Sequence, residues 1–338
     1  MALDYLDNVI MGGWQFSKGH TQRDLEGVHV LESYYEAGFR VFDCADIYTG
    51  VEELIGAFIA GHGIGADDIY VHTKYVPDLA ALPGLSRDQT EAIVDRSRER
   101  LGLDTLDLVQ FHWWDYEVPG YLDALETLVD LQSCGKIARI GLTNFDAAHV
   151  EEILDAGIPV ASVQSQFSVL DRRPRGELTE LARRHGVSLL SYGSIAGGLL
   201  SDRYVGAPPP SPPYDNRSLN KYMLIIEEVG GWQALQEVVQ VLKDVADETD
   251  ADVATVAAAW PLRQEPVDAV IVGVRNTSHL AEHRALRRGV PLTREQLDRI
   301  ERVRNRFGDV PGAVFELERD VGGPHNRIMK FDLNAMSR

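Results

Sequence analysis

The sequence predicts an α/β protein in which eight strand–helix units close into a single (β/α)8 TIM barrel. Short β-branched and apolar runs alternate strictly with amphipathic helical stretches, an order that favours a parallel sheet with its helices outside. Eight such units in roughly 300 residues match a closed barrel. No GxGxxG motif follows an early strand, which argues against an open, doubly wound sheet.

The predicted strands are short apolar runs; they cover residues 8–14, 39–45, 68–74, 106–112, 137–145, 160–167, 187–194 and 268–274. The predicted helices have apolar residues on one face; they cover residues 24–38, 51–61, 86–102, 121–135, 147–157, 176–186, 253–262, 278–286 and 293–306. Gly38 ends the first helix, as a C-terminal glycine commonly does. Ser86 stands where the third helix needs an N-cap.

Two segments interrupt this alternation. Residues 201–231, after the seventh strand, contain a proline-rich run at 208–214 and are predicted to be a long loop, either a lid or a stiff surface loop. Residues 307–338 are predicted to be a C-terminal tail packed on the barrel. The barrel domain is therefore assigned to residues 1–306.

Composition and charge exclude several classes of protein. The 338 residues are 44% hydrophobic, enough to bury a large core, and the net charge of −19 repels nucleic acid and anionic membranes. Two cysteines without a ligand cluster predict neither a disulfide framework nor a metal site. The start of the chain lacks signal-peptide features, and no apolar run reaches the roughly 18 residues of a membrane helix. These features predict a cytoplasmic protein and leave its oligomeric state open.

Polar side chains with acid–base chemistry occur where the predicted strands end, which is where (β/α)8 barrels carry their active sites. Asp43 ends the second strand, Tyr48 follows in its loop, Lys74 ends the third strand and His112 ends the fourth. A buried ammonium beside a phenol favours the phenolate, so we expect Lys74 to lower the pKa of Tyr48 toward neutrality. Asp43 would keep Lys74 charged and in place.

This set of residues suits the reduction of a carbonyl group. Tyr48 can donate a proton to a carbonyl oxygen while hydride reaches the carbon, and a neutral His112 can hold that oxygen by a hydrogen bond. None of these side chains carries hydride, so the chemistry requires a redox cofactor. Trp14, Trp113 and Trp114 are predicted to line a pocket for an apolar carbonyl substrate, the alternative being that they pack in the core.

Several motifs together resemble the aldo-keto reductase superfamily over residues 8–288. FDCADIYTGVEELIGAF, YVHTK, LDLVQFHWWD, KIARIGLTNF and VIVGVRNTSHLAEH occur in the order of that family's segments. The resemblance implies an enzyme that uses NADPH, or alternatively NADH, with Tyr48 as general acid, Lys74 tuning it, Asp43 supporting Lys74 and His112 orienting the carbonyl. It also implies a set of cofactor-binding residues: Thr143, Asn144 and Gln164 on the carboxamide, Tyr192 stacked on the nicotinamide, Leu199 at the start of the pyrophosphate loop, and Arg275, Asn276 and His279 at the adenosine end and its 2′-phosphate.

Some positions depart from the family pattern. Thr143 replaces the usual Ser and keeps its hydroxyl, whereas Val272 replaces a Pro and His283 an Asn, which leaves the preference for NADPH over NADH open. Two alternative functions remain: a cofactor-binding regulatory or scaffold barrel, and a non-redox lyase or dehydratase that uses the same acid–base residues.

Overall fold

A computed structural model describes residues 3–17, 24–65, 68–214 and 218–334. Its strands close into a barrel in chain order, and every neighbouring pair is parallel, including the pair of first and last strands. The strands are β1 Val9–Gly12, β2 Val41–Asp43, β3 Tyr70–Tyr75, β4 Leu108–Phe111, β5 Ile140–Thr143, β6 Val160–Gln166, β7 Ser188–Tyr192 and β8 Val267–Gly273. The predicted (β/α)8 barrel is confirmed.

The helices surround this barrel. They are α1 Asp24–Glu36, α2 Val51–His62, α3 Arg87–Leu101, α4 Tyr121–Ser133, α5 Ala147–Asp155, α6 Glu177–His185, α7 Ser218–Val229, α8 Gly231–Thr249, α9 Val253–Ala259, α10 Leu280–Arg288, α11 Arg294–Arg304, α12 Glu316–Arg319 and α13 Pro324–Arg327. Ser86 caps α3 by accepting a hydrogen bond from the Gln89 amide, and Gly38 after α1 has a φ of 94°, as a left-handed C-terminal residue requires.

The alternation of side chains along each strand produces two cores. One set packs outward against the helices, and a smaller set fills the lower interior of the barrel: Ile10, Val41, Leu108, Ala161, Leu190 and Ala269, joined by Leu3. Because side chains alternate, Asp43 shares the inward face of Val41 and Gln110 shares that of Leu108. An apolar plug therefore lies beneath a layer of inward-pointing polar groups.

The prediction of a loop over residues 201–231 is wrong in its second half, where α7 is folded. Leu219, Tyr222, Ile225, Ile226 and Val229 are buried, at the spacing of three and four that one helix face requires. Helix α8 follows at once and was also not predicted. The prediction of a loop depended on the proline-rich run at 208–214, but the helical periodicity begins soon after that run.

The C-terminal tail lies across the loops that follow several strands. Phe331 accepts a hydrogen bond from the Leu79 amide, and the Asn334 side chain donates to Asp46 and to the Val76 carbonyl at 2.9 and 2.8 Å. Residues 335–338 of the predicted tail lie outside the described residues. Since Asp46 and Val76 follow β2 and β3, the tail borders the end of the barrel at which active sites form.

A buried carboxylate attaches the tail. Glu318 has a side chain with 0% exposure and pairs with Arg173 and Lys221, each at 3.1 Å. We expect Glu318→Gln to lower the free energy of unfolding in urea by about 3 kcal/mol, because buried cations lose their partner. The matched control, Glu295→Gln on the exposed surface of α11, should change it by less than about 0.5 kcal/mol. Equal stability of the two variants would contradict this role.

Candidate active site

Asp43 and Lys74 form a buried ion pair at the mouth of the barrel. The Lys74 ammonium donates to Asp43 Oδ1 at 2.5 Å and to the Cys44 carbonyl at 2.8 Å, and both side chains are about 5% exposed. Burial alone would lower the pKa of Lys74, but the adjacent Asp43 carboxylate raises it above its usual value. Lys74 is therefore a permanent cation inside the site.

The second Asp43 oxygen is held by two amides. Gln110 and Gln164 donate to Oδ2 at 3.0 and 2.7 Å, and Gln164 also donates to the Gln110 side-chain oxygen at 2.8 Å. These bonds satisfy a carboxylate that has no access to water. Gln110 was not among the predicted site residues. Its position in an apolar strand, two residues before His112 and on the same face, was the available signal.

Tyr48 lies in the loop after β2, half-buried next to this ion pair. Its ring contacts Trp14 edge to face at 4.8 Å between centroids, and the Lys74 Nζ is 5.1 Å from its centroid. Burial raises the pKa of Tyr48 and outweighs the opposing effect of the Lys74 charge. The net direction is opposite to the lowering expected from Lys74 alone. At neutral pH Tyr48 is a protonated phenol, which is the form that donates a proton.

His112 follows β4 directly and is 2% exposed. Burial, reinforced by the positive charge of Arg319, lowers its pKa to about 3, so the imidazole is neutral. Its Nδ1–H donates to the Thr143 carbonyl at 3.1 Å, and a carbonyl can only accept. The hydrogen therefore sits on Nδ1, and Nε2 is a buried acceptor without a partner among the described residues. As arranged, His112 can accept a hydrogen bond from a ligand but not donate one, so the predicted hydrogen bond from His112 to the carbonyl oxygen cannot form in this arrangement.

The three tryptophans of the predicted substrate pocket occupy different environments. Trp14 packs on Tyr48, and Trp114 lies edge to face on His112 at 4.4 Å. Trp113 is fully buried in the core, where its Nε1 donates to the Val118 carbonyl, so it cannot line a pocket. The prediction for Trp113 is wrong, because in the segment after β4 its side chain packs into the core against Phe111 and Tyr121.

The residues predicted to bind the nicotinamide meet at the ends of β5, β6 and β7. Asn144 has a left-handed backbone with φ of 62°, and its Oδ1 accepts a hydrogen bond from the Tyr192 hydroxyl at 2.8 Å. The Asn144 amide donates to the Gln164 carbonyl at 2.9 Å, and Thr143 precedes it at the end of β5. A non-glycine residue held at positive φ is strained, and such strain clusters at functional sites.

A cavity of about 720 Å³ opens between the segment after β7 and the segment after β8. Its lining includes Gly197, Gly198, Ser201, Arg275, His279, Glu282 and His283. This volume falls in the usual range for cofactor sites. Gly197 has a φ of 65°, and a Cβ there would come within 2.8 Å of Tyr222, so only glycine fits this wall. One Glu282 oxygen is buried without a partner, as expected where a ligand supplies the hydrogen bond.

Of the four residues predicted for the pyrophosphate and the adenosine end, two do not line this cavity. The Leu199 side chain is fully buried in the core. The Asn276 Oδ1 accepts hydrogen bonds from the Ser278 amide and hydroxyl at 3.0 and 2.6 Å, which makes it a turn-forming residue. Neither residue lines the cavity, whereas Arg275 and His279 do.

The tail and α7 add residues that the sequence did not indicate. Phe315 contacts His112 edge to face at 5.3 Å between ring centroids. Arg319 donates to the Trp113 and Asn144 carbonyls at 2.8 and 3.0 Å. Lys221 in α7 donates to the Tyr192 hydroxyl at 3.2 Å. No local motif marks these residues, because their role depends on where distant segments pack.

Residues 3–17, 24–65, 68–214 and 218–334 contain neither a membrane-spanning helix nor a metal-binding cluster. None of the helices there combines the length and apolar character needed to cross a membrane. Within the same ranges, His, Cys, Asp and Glu side chains do not gather in any group of three or more able to hold a metal ion.

Comparison with known proteins agrees with this architecture. A sequence profile of the Aldo/keto reductase family matches residues 8–305. Flagellar radial spoke protein 5 of Chlamydomonas reinhardtii is 30% identical over 261 residues, which cover 64% of this chain and 48% of that protein, so the chain spans about half its length. The NADH-specific methylglyoxal reductase of Escherichia coli is 27% identical over 304 residues, which cover 82% of this chain and 89% of the reductase.

A solved aldo-keto reductase structure shares this fold. A thermostable aldo-keto reductase crystallised with the inhibitor epalrestat superposes with a TM-score of 0.70 and 23% identity, covering 88% of this chain and 95% of that one. At this identity the similarity concerns the fold, while the profile match covers nearly the whole barrel. The chain therefore belongs to the Aldo/keto reductase family.

Proposed function

We propose that this protein reduces an aldehyde or ketone to an alcohol with NADPH, or catalyses the reverse reaction, with Tyr48 as the proton donor. The observation that carries the proposal is the Tyr48 ring beside the buried Lys74–Asp43 pair, with the Lys74 Nζ 5.1 Å from its centroid. Gln164 joins this pair to Asn144, because its side chain donates to Asp43 and its backbone carbonyl accepts from the Asn144 backbone amide. An acid such as Tyr48 is useful where a carbonyl oxygen gains negative charge.

Each side chain then has a defined task. When bound, NADPH would provide the hydride that the carbonyl carbon gains, and Tyr48 would supply the proton to the oxygen. Lys74 stabilises the Tyr48 phenolate that results, and Asp43 holds Lys74 in position. His112 lies beside the oxygen site and orients the substrate by accepting a hydrogen bond from a donor group close to the carbonyl. Trp14 and Trp114 border the substrate.

The cavity of about 720 Å³ would hold the end of the cofactor remote from Tyr48. Thr143, Asn144 and Gln164 would hold the carboxamide, and Tyr192 would stack on the nicotinamide ring. Arg275 and His279 bind the adenosine end, where the guanidinium suits a 2′-phosphate. The segment that begins at Gly197 passes beside the pyrophosphate and replaces Leu199 in this role.

The cofactor preference is tested by titration of tryptophan fluorescence with NADPH and with NADH. We expect NADPH to bind at least about tenfold more tightly, and Arg275→Ala to remove most of that difference, because a charged hydrogen bond contributes about 1.5–3 kcal/mol. The exposed Arg263→Ala is the control and should leave both affinities unchanged. Equal binding of both cofactors by the wild type would reject the NADPH assignment and align this protein with the NADH-specific relative.

A scaffold function is the second candidate, since one relative is named as a flagellar radial spoke protein. A scaffold would bind the cofactor and reduce no carbonyl. A lyase or dehydratase, in contrast, would form product without consuming NADPH. Parallel measurement of bound cofactor, NADPH oxidation and product separates the three functions.

We also infer a cytoplasmic location and a small-molecule carbonyl substrate. Cys44 and Cys134 are both free thiols, as expected in a reducing compartment. The net charge of −19 opposes binding to nucleic acid.

A further inference from the structure

We propose that the substrate carries a carboxylate and that Arg319, supplied by the C-terminal tail, binds it beside His112. The inference depends on the proposed function, because it identifies the class of carbonyl compound that the same site reduces.

The Arg319 guanidinium is held above the ends of two strands. Its Nη2 donates to the Trp113 carbonyl after β4 and to the Asn144 carbonyl after β5, at 2.8 and 3.0 Å. Its Cζ lies 4.1 Å from the Tyr116 ring centroid and 5.2 Å from that of Phe315. Tail and barrel thus fix the position of the cation at the rim of the site.

This cation has no carboxylate partner. Within the described part of the chain, no Asp or Glu oxygen lies within 4.0 Å of the Arg319 guanidinium. Its Nε is buried and has no hydrogen-bond partner. Burial lowers the pKa of Arg319, which shows that its surroundings compensate the charge incompletely. Contact with aromatic faces recovers only part of the cost of burying a charge.

The neighbouring cations Arg173 and Lys221, unlike Arg319, contact carboxylates directly. Arg173 pairs with Asp171 at 2.7 Å and with Glu318 at 3.1 Å, and Lys221 pairs with Glu318 at 3.1 Å. Arg319 differs because Asp146 and Glu318 act on its charge only from beyond 4.0 Å. A cation at the rim that no carboxylate contacts directly would favour entry of an anion.

The charge and shape of the Arg319 guanidinium indicate which kind of anion it binds. A single unpaired guanidinium matches the charge and the planar shape of one carboxylate, whereas a phosphate dianion would need a second free cation. The Phe315 ring contacts the His112 ring at 5.3 Å and the Arg319 Cζ at 5.2 Å. We therefore place the carbonyl beside Tyr48 and the acid at Arg319 on the same small molecule, an aldehyde acid or oxo acid.

The test compares matched substrates. A series of short aldehyde acids with increasing numbers of methylene groups, and the primary amides of the same compounds, are assayed by NADPH oxidation. For the acid of best-fitting length, we expect kcat/KM to exceed that of its amide about tenfold to hundredfold in the wild type, as a charged hydrogen bond would give. In Arg319→Gln this ratio should fall close to one, because the acid loses its partner and the amide has none to lose.

The exposed Arg327→Gln is the matched control, since it removes one positive charge from the same tail and should keep the wild-type ratio. If Arg319 only attaches the tail, Arg319→Gln will lower kcat/KM for acid and amide equally, and the proposal is overturned. A ratio near one in the wild type across the whole series overturns it as well.

Failure of the proposed function has a different signature, because neither acids nor amides would then be reduced. Calorimetric titration of butanoate into the wild type saturated with NADP⁺ tests the carboxylate site without turnover. Binding that disappears in Arg319→Gln and persists in Arg327→Gln supports the site, and binding that is absent, or equal in all three proteins, rejects it.

Discussion

Tyr48→Phe is expected to lower kcat/KM for carbonyl reduction by about 10²–10⁴-fold, the usual contribution of a positioned general acid. The substitution removes one hydroxyl and keeps the ring that packs on Trp14. Cofactor affinity should therefore stay within about twofold, since Tyr48 lies outside the adenosine cavity. Steady-state kinetics and NADPH fluorescence titration measure the two effects separately.

The pH dependence adds an independent check on Tyr48. Because burial raises its pKa, the phenol remains protonated through neutral pH, and reduction should not slow until the pH exceeds the normal tyrosine value of about 10. The neutral His112, with a pKa of about 3, should add no inflection between pH 5 and 8. Tyr35→Phe is the control for Tyr48→Phe, because it removes a phenol hydroxyl from α1, remote from the strand ends. If Tyr48→Phe retained the wild-type rate of reduction, Tyr48 would not be the proton donor.

Lys74→Met is expected to have the second large effect, on both activity and stability. It would leave the Asp43 carboxylate buried with no cation, a change that typically lowers the free energy of unfolding by about 3–5 kcal/mol. Reduction should slow at least about a hundredfold, because the Tyr48 phenolate formed in the reaction would lose its stabilising charge. Urea unfolding and kcat measurements report the two consequences.

The double variant Asp43→Asn/Lys74→Met separates charge burial from catalysis. Removing both charges leaves neither unpaired, so we expect stability to recover by about 1–3 kcal/mol relative to Lys74→Met alone. Activity should remain at the level of the single variant, since the ammonium is still missing. Additive losses of stability in the cycle would show that the two charges do not interact as the 2.5 Å contact indicates.

Local sequence patterns predicted much of the barrel and most of the proposed catalytic residues at its rim. Strict alternation of strands and helices leaves few topologies, and parallel strands bring their carboxyl ends to one rim. Asp43, Lys74 and His112 could therefore be grouped although they are far apart in sequence. Helix ends such as Ser86 followed from local hydrogen-bond needs alone.

Other features depended on neighbours that no local pattern identifies. Trp113 and Trp114 are adjacent and identical in type, yet one is core and the other borders the site, because the chain turns them apart. The direction of the Tyr48 pKa shift depends on burial, which exceeds the effect of the nearby Lys74 charge. The hydrogen on His112 is placed by the Thr143 carbonyl of the next strand.

The sequence by itself determined the fold class, the order of the barrel and the residue types that meet at its rim, because these follow from periodicity and from the geometry of parallel strands. Only the tertiary structure decided which charges remain unbalanced there. Glu318 pairs with cations from two other segments, and Arg319, its neighbour in sequence, is left without a carboxylate. Such differences arise from packing between segments that are distant along the chain, where burial and Coulomb interactions depend on distance in space rather than on sequence spacing.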